Sequence, residues 1–270
     1  MLIDLHMHTN RSDGVWSVER LLDEVDARAL DLFCISDHDT LAAYPLPRSP
    51  KARCIPGLEV DTHHGGHTTH LLAYGIADPE SPLLRALGAQ RAARAERMAE
   101  MVEAMQRQGI AVTMADVEAQ VTAGASYGRP HLARALVACG AVSSVQEAFD
   151  RYLADDGVSY VPLARLTARE AIALVRDSGG VSVVAHPARL REPGDLLALI
   201  ELGVDGIEIA HPTADEAYRA AVLALARERE LLVTGGTDFH APVEDRPIGV
   251  AFPDAEVERL ISTLEARAAQ

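Results

Sequence analysis

The 270-residue chain has a single lysine, Lys51, among 25 basic residues, and only three cysteines. Cys34, Cys54 and Cys139 are far apart and form no CxxC pair, which argues against a disulfide framework and a thiolate zinc site and fits a reducing compartment. No stretch approaches the roughly 18 uninterrupted apolar residues of a membrane span. The opening MLIDLHMHTN has neither a basic n-region nor an apolar h-region, so the expected location is the cytoplasm, with no membrane partner. Positive charge is in deficit: 25 Lys and Arg against 40 Asp and Glu leave a formal −15, a surface that repels polyanions and argues against sequence-blind binding of duplex DNA. Since nearly all the basic residues are arginine, arginine richness carries no information and position must. What remains is 48% hydrophobic and 24% charged, enough for the core of one large domain or of a domain with an insertion.

Short apolar runs alternate with amphipathic helical patterns. Strands are expected at 2–5, 32–35, 54–60, 70–74, 181–185, 206–210 and 231–234, with an eighth near 248–252. Helices are expected at 18–29, 168–178, 193–202, 215–228 and 255–267. Such alternation favours right-handed βαβ units and an α/β barrel or open sheet. From about Pro82 to Leu153 the pattern is almost wholly helical. The expected organisation is therefore a catalytic domain from 1–81 and 154–270, with 82–153 as a helical insertion that acts as a lid.

The eleven histidines and their acidic neighbours decide the chemistry. His6 and His8 follow the first expected strand, Asp37-His38-Asp39 the second, and Glu59 sits in the third. His186 closes VSVVA, His211 closes GIEIA, and Asp238 and His240 follow LLVTGG. In a parallel α/β barrel all these strand ends open on one face, so the groups converge in space. An HxH pair at a strand end aims both imidazoles at one ion, because alternate residues point the same way. Six or more such groups, left without a ligand, would cost several kcal/mol of unpaired polar burial, and a metal cluster is the simplest way to satisfy them. His63, His64 and His67 lie in THHGGH, which reads as an exposed Gly-Gly hairpin tip.

In order along the chain, DLHMHTNRSDG, ISDHDT, GLEV, THLLAYG, VVAHP and TDFH resemble the PHP (polymerase and histidinol phosphatase) family of metal-dependent phosphoesterases. The resemblance implies a distorted (β/α)7 barrel with two to three divalent metal ions on its open face. It implies one ion on His6, His8, Glu59 and Asp238, with Glu59 bridging to a second held also by His70 and His186. A third would take Asp13, His38 and His240; many family members have His where Asp13 stands, so this is a variant of that site. Nitrogen and oxygen ligands without thiolate suit Mn²⁺, Fe²⁺ or Zn²⁺, and manganese is the expected ion. The expected catalytic groups are Glu59, Asp37 and His240, with Asp37 and Asp39 orienting the ligand between them.

Arginines stand where an anionic substrate would need them. Arg129 and His131 lie in SYGRPH, Arg129 preceding a proline at an expected helix start, where backbone N–H groups and a guanidinium can jointly hold a phosphate. Arg91, Arg94 and Arg97 recur at three-residue spacing along the insertion, where they either face the site or form a solvated face with Glu96, Glu100 and Glu103. GRPH and the insertion also resemble the branch of the family that acts on nucleoside 3′,5′-bisphosphates and trims short RNA from its 5′ end. That resemblance implies Arg94, Arg97, Arg129 and His131 holding one phosphate while the metals hydrolyse another, with a small nucleotide or short single-stranded RNA as substrate. The rival readings are a histidinol-phosphate phosphatase, an amidohydrolase acting on C–N bonds, and a non-catalytic scaffold. Lys51, in a Pro-rich loop, is badly placed to be the bridging lysine that amidohydrolases often use. Glu208 and His211 are expected on the rim without a specific role.

Overall fold

In a computed structural model, residues 1–122, 125–154, 157–159, 161, 165–192, 194–243 and 246–269 are described. Two open sheets form the centre of a mixed α/β fold. The first has the order β10-β1-β2-β3, from β1 (Leu2–Asp4), β2 (Leu32–Phe33), β3 (Arg53–Cys54) and β10 (Val250–Ala251). The second has the order β6-β4-β5-β7-β8-β9, from β4 (Gly57–His64), β5 (His67–Tyr74), β6 (Leu166–Thr167), β7 (Val181–Val184), β8 (Gly206–Ala210) and β9 (Leu232–Gly235). Parallel pairing dominates, but β5 runs antiparallel to both of its neighbours and β10 antiparallel to β1. Isolated parallel bridges link the sheets at both ends, Met7 with Phe239 and His38 with Glu59.

Two features depart from the simple βα rhythm expected of the sequence. The run at 54–60 is broken, because Pro56 has no N–H for a ladder, and it becomes β3 and a separate β4. β4 then extends to His64 and turns directly into β5 through Gly65 and Gly66, whose φ of 57° and 83° are the positive values a two-residue hairpin needs at both positions. The hairpin register sets Asp61 opposite His70 and His64 opposite His67.

The helices pack as their patterns dictate. α1 (Val18–Ala27) is capped by the Ser17 side chain and buries Val18, Leu21, Leu22 and Val25, an i, i+3, i+4, i+7 stripe. α6 (Ala168–Asp177) has a Thr167/Glu170 capping box, and α7 (Asp195–Glu201), α8 (Glu216–Glu228) and α9 (Asp254–Ala268) complete the outer layer. Between β5 and β6 lie α2 (Pro82–Arg107), α3 (Met114–Glu118), α4 (Arg129–Ala138), α5 (Val145–Ala148) and a π turn at Phe149–Leu153. They share a core of their own, with Met98, Met101, Met105, Leu132 and Leu136 at its centre, separate from the core around the sheets. Side chains of α2 and α4 and of the sheets line one cavity on the face where the histidines collect.

Candidate active site

Residues that follow β1, β2, β7 and β9 converge on Glu59 of β4 and His70 of β5. His6 Nε2 and His8 Nε2 lie 3.2 and 3.1 Å from Glu59 Oε2, and each lies 3.4 Å from Asp238 Oδ1. On the other side of the same carboxylate, Glu59 Oε1 is 2.8 Å from His70 Nδ1 and 3.1 Å from His186 Nε2. His240 Nε2 and His38 Nε2 approach Asp13 at 3.2 and 3.7 Å. Potential ligand atoms within 4.8 Å of one another form four overlapping groups: His6, His8, Glu59 and Asp238; Glu59, His70 and His186; His8, Asp13, His38 and His240; and His38, Asp61 and His70. Glu59 and His8 each belong to two of these groups and share the one formed with His6 and Asp238.

The backbone around the cage is built to bring these groups close. Gly236 sits where a Cβ would lie 2.4 Å from the His6 Cβ and 2.5 Å from its amide nitrogen, so no larger residue lets the end of β9 lie against β1. Asp39, His186 and Asp238 adopt φ of 55°, 29° and 52°, conformations that non-glycine residues hold only when the surroundings fix them. His6 Nδ1 is 3.0 Å from Glu208 Oε1, and the His186 amide donates to Glu208 Oε2 at 2.7 Å, so Glu208 lies behind two imidazoles and away from the rim. His211 is likewise buried behind Asp238, its Nε2 3.4 Å from Oδ2. Asp37 accepts from the Thr9 amide, the Thr9 hydroxyl and the Ser12 hydroxyl at 2.8, 2.6 and 2.6 Å. It fixes the loop that carries Asp13 and does not line the cavity over the cage.

Charge explains how so crowded a cage can exist at all. Burial raises the Glu59 carboxyl, but the positive imidazoles of His38, His6 and His70 outweigh burial and hold it well below the usual carboxylate range. Asp13 and Asp238 follow the same logic. In return, burial lowers His8 and His38, and their acidic neighbours overcome it, Asp238 and Glu59 for His8 and Glu59, Asp61 and Asp13 for His38, raising the two to about 9 and about 10. His186 goes the other way, burial leaving it below its ordinary value. Even so, both ring nitrogens of His8, the Nδ1 of His38 and the Oδ1 of Asp61 find no aligned hydrogen-bond partner. Buried, oriented imidazoles and carboxylates whose shared protons a cation would displace are the donor set of a divalent metal centre.

The helical segment closes the other wall. Arg94 and Arg97 are 5% and 6% exposed, which rules out the solvated face for both. Arg94 Nε and Nη2 meet Asp39 Oδ2 at 2.8 Å, Nη2 meets Asp61 Oδ2 at 2.6 Å, and Nη1 donates to the Tyr127 carbonyl. Arg91 donates to the Asp39 carbonyl and Arg97 to that of Val161. Arg94, Arg97 and Arg129 line a cavity of about 250 Å³ together with the cage residues Asp13, His38, Glu59, His70, His186, Asp238 and His240. His131 does not join them. It is buried under the GRPH turn, where Nδ1 accepts from the Gly128 amide, and burial lowers it to about 4, so it stays neutral.

No protein-family model matches the sequence. Whole-length relatives do. The chain is 32% identical over 254 residues to the 5′-3′ exoribonuclease Rnm of Escherichia coli K12, covering 90% of this chain and 86% of that one. It is also 32% identical to the 3′,5′-nucleoside bisphosphate phosphatase of Chromobacterium violaceum, covering 90% and 88%. The chain belongs to the PHP family of metal-dependent phosphoesterases. Among solved structures, a candidate metal-dependent phosphoesterase of Bifidobacterium adolescentis superposes with a TM-score of 0.83 at 30% identity, over 97% of this chain and 96% of that one. A Chromobacterium violaceum structure described as an amidohydrolase with bound sulfate reaches 0.88 at 29%, over 98% and 96%. In this PHP chain Lys51 is exposed and lies outside the cavity. The enzyme is a hydrolase of phosphate esters.

Several residues of this PHP site escape a reading of the sequence. Asp61 follows Glu59 by two on β4 and so shares its face, a signal that strand periodicity does offer. Arg189, on the turn after His186, reaches Asp238 Oδ2 at 2.7 Å, and Arg165 lies 3.7 Å from Asp61 Oδ2; both line the cavity. Neither has a local pattern that would single it out.

Proposed function

We propose that the chain hydrolyses the 3′-phosphate of nucleoside 3′,5′-bisphosphates and cleaves short 5′-phosphorylated RNA, on a distorted (β/α)7 barrel with residues 82–153 as its lid. The observation that carries this reading is one cavity lined on one wall by a metal-donor cage and on the other by Arg97, Arg129 and Arg165. A substrate with two phosphates fits such a cavity, one phosphate at each wall. The bridges at Met7 and His38 that link the two sheets are the seams of the barrel in this reading. One ion would be held by His6, His8, Glu59 and Asp238, a second by Glu59, His70 and His186, and a third by Asp13, His38 and His240, with manganese the expected metal and the cytoplasm the place of action. Bound there, divalent ions supply an acidified water and positive charge for the phosphoryl oxygens.

The chain's own residues do the rest. Glu59 faces two ligand groups with its two oxygens and fixes their separation. Asp37 positions the Thr9–Asp13 loop, and Glu208 and Asp238 hold His6 and His8 in register. His240, at 32% the most exposed imidazole of the cage, directs Nδ1 to the Asp238 carbonyl and leaves Nε2 toward Asp13 and the substrate side. Arg129 reaches into the cavity from the first turn of α4 and Arg97 from α2, where they clamp the distal phosphate. Arg94, bound by two carboxylates, positions α2 against the barrel, and His131 shapes the turn that presents Arg129. Adenosine 3′,5′-bisphosphate compared with AMP, each with Mn²⁺ supplied, tests the reading. Rapid turnover of the bisphosphate and slow turnover of AMP is the expected result; equal turnover of both would remove the two-phosphate idea.

A further inference from the structure

Beyond Asp238, His240 and Arg189 the site does not end. The same three residues line a second cleft of about 560 Å³ on the side away from α2. That volume lies in the ordinary range for small-ligand sites. Its apolar walls include Pro212, Phe239, Val243 and Pro247, and its basic side chains are Arg189, which also lines the cavity over the cage, Arg219 and Arg246, beside the carboxylate of Asp238. Arg219 donates to the carbonyls of Ala214 and His211 and so holds the turn that forms its wall. Arg246 is exposed and continues into an adjoining hollow of about 330 Å³ beside Trp16, the sole tryptophan of the chain.

We infer that this cleft seats the nucleoside on the 3′ side of the scissile phosphate when the substrate is RNA. The inference rests on the two-phosphate reading above and adds the place of the second nucleotide. In a 3′,5′-bisphosphate the 3′-phosphorus carries only unsubstituted oxygens besides its ester link. In RNA one of those oxygens carries the 5′ carbon of the next nucleoside. The same bond breaks in both substrates: the water oxygen bonds to phosphorus, the P–O3′ bond opens, and a proton passes to the departing 3′ oxygen. One product is a 5′-nucleotide; the other is inorganic phosphate or a shortened chain that retains a 5′-phosphate. With the first nucleotide's 5′-phosphate against Arg97 and Arg129, the second nucleoside leaves the cage on the opposite side, where Arg189 joins the two cavities. Proline and phenylalanine faces accept a base of any sequence, and Arg246 stands ready for the following phosphate. On a molecule of net charge −15, a phosphate chain needs such local cations to follow a path at all.

Arg246→Glu and Val243→Trp test this on the holoenzyme, both being exposed positions. Each variant and the unaltered protein are assayed with Mn²⁺ on adenosine 3′,5′-bisphosphate and on a 5′-phosphorylated triribonucleotide. The expected result is a loss of about tenfold or more in kcat/KM on the RNA, from charge reversal or a filled cleft, with the bisphosphate within about twofold. Unchanged RNA turnover in both variants, or parallel losses on both substrates, would overturn the inference. Unaltered protein that turns over the bisphosphate but not the RNA would also overturn it, leaving the two-phosphate reading intact. Turnover of neither substrate would sink that reading, and the inference with it.

Discussion

The cage and the arginine wall face each other across one cavity, and both crowd like charges, yet they differ in how those charges are spent. In the cage, six imidazoles and the carboxylates of Asp13, Glu59 and Asp238 share protons, and several ring nitrogens have no aligned partner. In the wall, the charge of Arg94 is balanced by ion pairs to two carboxylates at 2.8 and 2.6 Å and its Nη1 donates to a carbonyl, although its Nη2 also lacks an aligned hydrogen bond. Satisfied charges position elements, whereas buried donors without partners mark where a ligand belongs. Asp61 belongs to both regions, touching His38 at 2.8 Å and Arg94 at 2.6 Å, and so ties the helical segment to the cage.

The contrast is sharpened most by Glu59. Glu59→Gln removes the carboxylate shared by two ligand groups, and phosphatase activity should fall by orders of magnitude, roughly 10³-fold, in steady-state assays with excess Mn²⁺. Near-normal turnover would show that the bridge is dispensable. Arg94→Ala should act chiefly on stability. It strands the carboxylates of Asp39 and Asp61, and chemical denaturation should register a loss of about 3 kcal/mol or more. A KM effect with unchanged stability would move Arg94 to the substrate-binding side of the comparison. Arg129→Ala should leave the fold intact and raise KM for the bisphosphate about tenfold, with kcat reduced only if the contact tightens in the transition state.

A pH-dependent effect concerns His131. Its folded value of about 4 lies below the ordinary 6.5, so the unfolded chain binds the proton first as pH falls. The contribution is fully present above pH 6.5 and is lost between 6.5 and about 4, amounting to about 3 kcal/mol at most. Denaturant midpoints measured across that window should fall with pH in the unaltered protein. In His131→Asn, which keeps an acceptor for the Gly128 amide, the slope should be shallower; equal slopes would exclude His131 as the source.

The sequence made much of the cage legible because His6, His8, His38, His186, Asp238 and His240 follow the ends of strands, where pairing direction brings them together, whereas Glu59 and His70 lie within β4 and β5. HxH after β1, DHD after β2 and DFH after β9 needed no tertiary information. The β4–β5 hairpin was half legible: Gly65-Gly66 marked the turn, but Pro56 divided what read as one apolar run. Arg189 and Arg165 were not legible, since nothing in an apolar period distinguishes an arginine that meets Asp238 or Asp61 from one in solvent. His131 misled for a related reason. Its place beside Arg129 in GRPH pointed to the phosphate, while the helix start turned its ring inward to cap Gly128.

In the proposed function the cage is a multinuclear metal centre on which phosphate hydrolysis depends. Elemental analysis of the purified protein, followed by activity on adenosine 3′,5′-bisphosphate before and after chelation, reads this out. Two or more divalent ions per chain are expected, with turnover lost on their removal and restored by Mn²⁺. A protein free of bound metal that hydrolyses the substrate at full rate would contradict it.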